Sequence, residues 1–110
     1  MKLSEFTEKS GFEIITLSSD TEKEVTRPFC CDLLSWAMGR APEGCAWATV
    51  MANLNTLAVA ELADAACVIL CEGARPDENM IKKAASQDIT LLASSLPVFE
   101  AALAAYNVLS

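Results

Sequence analysis

Short apolar runs alternate along this chain with segments that have a helical pattern, and few folds accommodate that order. Four runs have the composition of strands, at 12–17, 45–51, 67–71 and 89–94. The third, CVILC, is apolar throughout, which is typical of a parallel strand buried on both faces. Because strands that alternate with helices form parallel sheets, the sequence predicts an α/β fold. We expect one domain over residues 1–110, with a mainly parallel four-stranded sheet flanked by helices.

The segments between these runs carry helix start and stop signals. Asp32 is a capping residue at one start, and Gly39 closes that helix. Residues 18–27 are predicted to form a polar loop, with a short extended piece around Val25, that ends at Pro28. Helices are predicted for residues 2–9, from Asp32 to about Met38, for 57–65, from Pro76 or Asp77 to about Gln87, and from Pro97 to about Leu109.

The composition favours self-association. Apolar residues make up 53% of the 110 residues, above the range of about 45–50% that is usual for soluble domains. Much of the excess is alanine, and a small monomer has limited capacity to bury so much apolar surface. We therefore expect a homodimer.

The negative net charge disfavours two classes of binding partner. A formal net charge of −7 disfavours nucleic acid and anionic membranes, because no basic stripe exists to contact phosphates. The apolar runs are too short to span a bilayer, and the N-terminus lacks the apolar core of a signal peptide. We expect a cytoplasmic protein.

The carboxyl ends of the predicted strands are the expected location of a ligand site, near a topological switch point. Glu72, Gly73 and Arg75 follow the third strand, and Ser94 follows the fourth. Arg75 could hold a phosphate or a carboxylate, although a solvated surface arginine is the commoner outcome. Ser94 and Ser95 could instead cap the last helix. Residues 18–19 and 51–55 follow the other two strands.

A second set of candidate residues, Asn53, Asn55 and Thr56, lies between the second strand and a helix. Each side chain can accept a hydrogen bond from the free N–H groups of the first helical turn. The same groups could bind a ligand at the electropositive helix N-terminus. Both interpretations remain open for these three residues.

The sequence argues against an enzyme. It contains no histidine, which removes the commonest general base and every Ser–His or Cys–His nucleophile pair. Its four glycines do not form a phosphate-binding loop, so phosphoryl transfer is also disfavoured. We expect no catalytic residues.

Five cysteines raise the question of metal or redox chemistry. Cys67 and Cys71 share a face of one predicted strand but stand roughly 13 Å apart, too far to bind one ion together. With Cys45 they are best explained as buried small apolar residues. Cys30 and Cys31 differ, since they precede a helix whose N-terminus could lower a thiol pKa. Packing is favoured for this pair, and an iron–sulfur or redox carrier that uses it is the alternative function.

The two tryptophans are expected in the core or in an interface. Trp36 shares a helical face with Leu33, which is typical of an apolar stripe. An exposed Trp36 would instead mark a dimer contact, because tryptophan is enriched at interface hot spots. Trp47 lies within the second predicted strand.

Several segments together resemble a DRTGG domain. An apolar helix leads into a strand that ends at Gly73, Pro76 and Ile81 follow, and the ITLLAS strand precedes the VFEA segment of the closing helix. CDLLSWAMGRAP, at 31–42, looks like a segment of small stand-alone members. The resemblance covers about residues 10–105. Asn53-Leu54-Asn55-Thr56 stands where the family has its charged turn.

The resemblance implies a function as well as a fold. DRTGG domains are similar to the N-terminal domain of HPr kinase/phosphorylase and occur in regulatory regions, where one lies at a dimer interface near an adenine-nucleotide site. Small members are often encoded beside iron-only hydrogenases in anaerobes. For this chain the resemblance implies a homodimeric accessory or sensing module without catalysis. It also implies an adenine nucleotide as ligand and a redox or hydrogenase-related partner.

Overall fold

A computed structural model describes all 110 residues as one α/β domain with five helices and a five-stranded sheet. The elements are α1 Leu3–Ser10, β1 Glu13–Thr16, β2 Pro28–Cys30, α2 Leu34–Arg40, β3 Ala46–Thr49, α3 Leu54–Ala63, β4 Cys67–Leu70, α4 Glu78–Ser86, β5 Leu91–Ala93 and α5 Val98–Leu109. No helix is both long enough and apolar enough to cross a membrane.

The sheet has the order β1-β5-β4-β3-β2, and β2 to β5 are parallel. The fully buried β4 is the central strand, in agreement with its continuous apolar sequence. β1 pairs antiparallel with β5, with Glu13 opposite Ala93. The sequence prediction of a mainly parallel α/β sheet is therefore confirmed.

Two layers of helices cover the sheet. Because β2 to β5 follow one another in sequence order, right-handed crossovers place α2, α3 and α4 on one face. There Trp47, Leu57 and Met80 belong to one core cluster. On the other face α1 and α5 pack against each other, and Phe6 and Ile69 belong to a second cluster.

The structure corrects the expected number of strands. β2, which begins at Pro28, was predicted as the end of a loop, and it is the fifth strand. Its three residues are too few to show a pattern, and proline is tolerated there because β2 is an edge strand. The parallel strands also show no reversal of order, so the topological switch point that we expected among them is absent.

Asp32 has a different role from the predicted helix cap. α2 starts at Leu34, its N-cap residue is Leu33, and Gly39 lies inside the helix. The Asp32 carboxylate accepts hydrogen bonds from the Thr49 hydroxyl at 2.7 Å and from the Val50 amide at 2.9 Å. Asp32 therefore ties the segment after β2 to the end of β3.

Candidate functional site

A cleft lies where three connections meet at the carboxyl ends of the parallel strands. The α1–β1 turn, the loop after β4 and the loop after β5 enclose about 350 Å³. This volume falls at the small end of the range for small-molecule sites. Because β1 is antiparallel, its first residue lies at the edge where β5 ends. The lining residues are Gly11, Phe12, Glu13, Gly73, Arg75, Ala93, Ser94 and Ser95.

Backbone geometry fixes the loop after β4 beside the loop after β5. Glu72 and Gly73 both have left-handed φ angles, of 61° and 74°, which a glycine accommodates without strain. The Glu72 amide donates to the Leu96 carbonyl at 2.8 Å, and the Gly73 amide donates to the Ser94 carbonyl at 3.2 Å. These bonds bring the two loops together and form one wall of the cleft.

Arg75 and Glu13 form an ion pair at the cleft. Two guanidinium nitrogens of Arg75 donate to the two carboxylate oxygens of Glu13, at 2.8 and 3.0 Å. This bond lowers the pKa of Glu13 and raises that of Arg75. Both side chains are more than half exposed, so the pair is solvent-screened and stabilises the fold little. Arg75 is therefore a cation that another anion can reach.

Ser94 contributes a hydroxyl group to the cleft. Its Oγ accepts a hydrogen bond from the Leu96 amide at 3.1 Å, which leaves the hydroxyl proton available for donation. The prediction that Ser94 and Ser95 cap α5 is wrong, because Pro97 occupies the N-cap position and no side chain caps this helix. Ser94 closes a turn before the helix, and Ser95 is exposed.

The second candidate set lies outside the cleft. Asn53 caps α3, since its Oδ1 accepts a bond from the Thr56 amide at 3.2 Å. Thr56 is fully buried, and its hydroxyl donates to the Met51 carbonyl at 2.7 Å. Asn55 is exposed, and Glu72 is also exposed but does not line the cleft. The capping role is thus observed for Asn53, whereas the Thr56 side chain bonds to the backbone of the preceding loop.

Sequence reasoning missed Gly11, Phe12 and Glu13 as cleft residues. It placed the carboxyl end of β1, at Ser18 and Ser19, at the ligand edge. These serines instead lie at the amino ends of the parallel strands, where the Ser18 amide donates to the Thr90 hydroxyl at 2.9 Å. The direction of an edge strand does not follow from its composition, so no pattern in the sequence identified these residues.

Three cysteines are core residues. Cys45, Cys67 and Cys71 have no exposed surface. Burial raises the pKa of Cys45 and of Cys71 to about 11 and raises that of Cys67 as well. These thiols stay protonated at neutral pH, and protonated thiols are poor nucleophiles and poor metal ligands.

Cys30 and Cys31 lie near the exposed end of β2, but the expected lowering of a thiol pKa is wrong for Cys30. Partial burial and the neighbouring Asp32 carboxylate raise its pKa. The start of α2 at Leu34 leaves Cys30 too far from the helix N-terminus to be influenced by it. The Cys31 thiol donates to the Leu33 carbonyl at 3.3 Å. No three His, Cys, Asp or Glu side chains are grouped as metal ligands.

Thiol labelling checks this description of the cysteines. In the reduced native protein we expect Cys30 to react with a disulfide reagent first, Cys31 slowly, and the three buried thiols only after unfolding. Because the pKa of Cys30 is raised, its rate should keep increasing with pH above 9, where an ordinary thiol levels off. Cys30→Ser should remove the fast phase. Fast labelling of Cys67 in the native state would contradict the assignment.

Comparison with known proteins supports the fold. No family model and no curated protein matches the sequence. Among solved structures, the CBS and DRTGG domains of the regulatory region of a Clostridium perfringens pyrophosphatase, complexed with the activator diadenosine tetraphosphate, align with a TM-score of 0.79 at 13% identity. The alignment covers 97% of this chain and 46% of the pyrophosphatase chain, so this protein spans about half the length of that structure. The chain therefore has a fold of the DRTGG/CBS type.

Proposed function

We propose that this chain is a non-catalytic regulatory module that binds an adenine nucleotide in the cleft beside Arg75. The observation that carries the proposal is the position of the Arg75 guanidinium and the Ser94 hydroxyl at one cleft. The similar pyrophosphatase region is regulatory and is complexed with an adenine-containing activator, which supports the same class of ligand here.

The charges at the cleft suggest how a phosphate would be held. Glu13 occupies two of the five N–H donors of Arg75, so the remaining donors can contact a phosphate oxygen. A phosphate is also a competitor for the donors that Glu13 uses, since both are anions that pair with an arginine fork. Ser94 adds a neutral donor to the same cleft. In a chain with a net charge of −7, the Arg75 guanidinium is the positive charge at the cleft that an anion can contact.

The proposal includes a homodimer located in the cytoplasm, made of the single domain at residues 1–110. The high apolar content and the large apolar side chains that remain exposed support self-association of a small domain. A link to hydrogenase or redox metabolism rests on the resemblance of the sequence to small DRTGG-domain proteins. Asn53, Asn55 and Glu72 lie outside the cleft. They stay in the proposal only as residues that contact the ligand beyond the cleft.

Calorimetric titration with ATP and AMP tests the role of Arg75. We expect Arg75→Gln to weaken binding at least about tenfold, because charge-assisted hydrogen bonds are lost. Arg27→Gln is the matched control, since it removes the same charge from an exposed arginine outside the cleft. It should leave the affinity nearly unchanged.

Glu13→Gln is expected to change the nucleotide affinity in the opposite direction. Neutralising this carboxylate frees the Arg75 donors and removes a repulsive charge, so the nucleotide should bind more tightly. No heat with any adenine nucleotide, or equal affinities for wild type and Arg75→Gln, would rule out the proposed site.

A further inference from the structure

A single cation serves the whole cleft. Among the eight lining residues, Arg75 carries the only positive charge and Glu13 the only negative charge. The chain has eight lysines and arginines, and all of them except Arg75 lie outside the lining. Because Glu13 pairs with Arg75, the lining has no net charge. The cleft therefore offers an anion one guanidinium group and no second positive charge.

The margin of the cleft is acidic. We use this term for the charged residues within three sequence positions of a lining residue, which are Glu8, Lys9, Glu72, Asp77 and Glu78. Four of these five residues are carboxylates, and all five are exposed. Glu100 adds another exposed carboxylate in the first turn of α5, the helix that follows the loop after β5. A ligand group that extends beyond the lining therefore enters a region of net negative charge.

The one lysine of the margin is balanced by its neighbours. The Lys9 ammonium donates to the Glu5 carboxylate at 2.9 Å, one turn away on α1. The carboxylates of Glu5 and Glu8 raise the pKa of Lys9, the hydrogen bond to Glu5 being the main cause. Three further lysines form ion pairs with carboxylates outside the lining: Lys2, Lys23 and Lys82. None of these pairs adds a cation to the lining of the cleft.

The donors of the cleft match a single phosphate group. The Ser94 oxygen accepts a bond from the Leu96 amide, so its hydroxyl proton is free to donate. Ser95 also lines the cleft and is exposed, and its hydroxyl is a second neutral donor. A phosphate monoester presents three acceptor oxygens. The Arg75 fork and the two serines satisfy these oxygens and leave no charged donor for another phosphate.

The size of the cleft sets the same limit. Its volume of about 350 Å³ is near the lower end of the range of roughly 300–1,000 Å³ for small-molecule sites. This space suits a ligand of the size of a mononucleotide, so the outer phosphates of a longer chain would extend into the acidic margin. Each of them adds negative charge there without a cation to receive it, and Coulomb repulsion opposes binding.

We propose that the cleft selects a nucleotide with one phosphate group, AMP, over ADP and ATP. The proposal rests on the proposed function, and it specifies the charge of the ligand at the same site. Arg75, Ser94 and Ser95 receive the phosphate, and Glu13 with the acidic margin repels a polyphosphate chain. A monophosphate carries about −1.5 to −2 at neutral pH, and each further phosphate makes the ligand more negative. The selectivity thus comes from repulsion of ATP and needs no additional contact with AMP.

Calorimetric titration of the full chain with AMP, ADP and ATP tests the selectivity. The buffer contains no divalent cation, because such an ion would neutralise part of the triphosphate charge. We expect AMP to bind at least about tenfold more tightly than ATP, with ADP between them. The ratio of the AMP and ATP affinities should fall when salt is added, because screening weakens the repulsion of ATP.

Ser95→Lys provides the second cation that the cleft lacks. It should raise the affinity for ATP more than that for AMP, so the preference for AMP becomes smaller or reverses. Ser86→Lys is the matched control, since it adds the same charge at the exposed last residue of α4, at the other end of the strands. It should leave the ratio of the two affinities nearly unchanged. Far-UV circular dichroism should show that both variants are folded.

The outcomes separate this proposal from the proposed function. If ATP binds as tightly as AMP or more tightly, the selectivity is overturned while the nucleotide site stands. If none of the three nucleotides binds, both proposals are overturned. An unchanged preference for AMP in Ser95→Lys would show that charge at the cleft does not set the selectivity, and this result also contradicts the proposal.

Discussion

Replacement of Trp47 by alanine is expected to lower the free energy of unfolding by about 4 kcal/mol. Trp47 has no exposed surface and lies on β3, next to the central strand. Its ring centroid is 6.4 Å from that of Phe29, and its indole N–H donates to the Cys31 carbonyl at 3.0 Å. Alanine leaves a large cavity and an unpaired carbonyl. Since domains of this size are stable by about 5–15 kcal/mol, the loss is a large fraction of the total.

Trp47→Phe separates the two contributions. It keeps most of the apolar volume and removes the indole hydrogen bond, so a loss of about 1–2 kcal/mol is expected. Urea titrations followed by circular dichroism give both values, at one fixed protein concentration because the apparent stability of a self-associating protein depends on concentration. A loss below 1 kcal/mol for Trp47→Ala would mean that Trp47 is not packed as described.

Gly44→Ala is expected to destabilise the protein by about 2 kcal/mol or more. Gly44 has a φ of 76°, and an added Cβ would lie 2.9 Å from the Thr26 Cγ2 and 3.0 Å from the Glu24 carbonyl oxygen. Its amide donates to the Asp64 carbonyl, and its carbonyl accepts from the Thr26 amide. The contact with the Glu24 backbone cannot be relieved by a rotamer change, so the chain before β2 must move.

Gly39→Ala is the control, and its expected effect on stability has the opposite sign. Gly39 lies inside α2, and an added Cβ would meet nothing within 4 Å. Alanine should therefore stabilise this helix by about 0.5–1 kcal/mol. Thermal and urea unfolding of both variants measure the difference. Equal stabilities for Gly44→Ala and Gly39→Ala would contradict the described loop.

The layered α/β fold could be predicted because its signals are local. The apolar run at 67–71 is the central strand, and Asp77 caps α4 through a 2.8 Å bond to the Met80 amide, close to the predicted helix start. β2 could not be predicted, because three residues that begin with a proline show no periodicity. Pairing partners and strand direction are properties of the assembled sheet, so the antiparallel position of β1 was also beyond the sequence.

Part of the cleft could also be predicted, because the ends of strands are marked locally in the sequence. Gly73, Arg75 and Ser94 follow parallel strands, and the rule on strand ends brings them to one edge. Glu13 pairs with Arg75 across 62 positions of the sequence, which no short motif records. Asn53 and Thr56 also follow a parallel strand, but they lie outside the cleft and bond within the connection between β3 and α3.

The two tryptophans show that burial in the fold decides how a sequence pattern is interpreted. The sequence allowed Trp36 to be a core or an interface residue, and the structure places more than half of its surface in solvent. Trp47, with the same side chain, is fully buried. Trp47 lies on a fully buried strand and Trp36 on a short surface helix, and this difference depends on the assembled fold.

Amide chemical shifts during a titration with ATP test the central claim, that the cleft beside Arg75 binds an adenine nucleotide. The chain has four glycines, and their amides provide internal controls. Gly11 and Gly73 line the cleft, whereas Gly39 and Gly44 do not. We predict saturable shifts of Gly11, Gly73 and Ser94, with Gly39 and Gly44 unchanged. Shifts confined to residues 53–56, or no saturable shift at all, would contradict the claim.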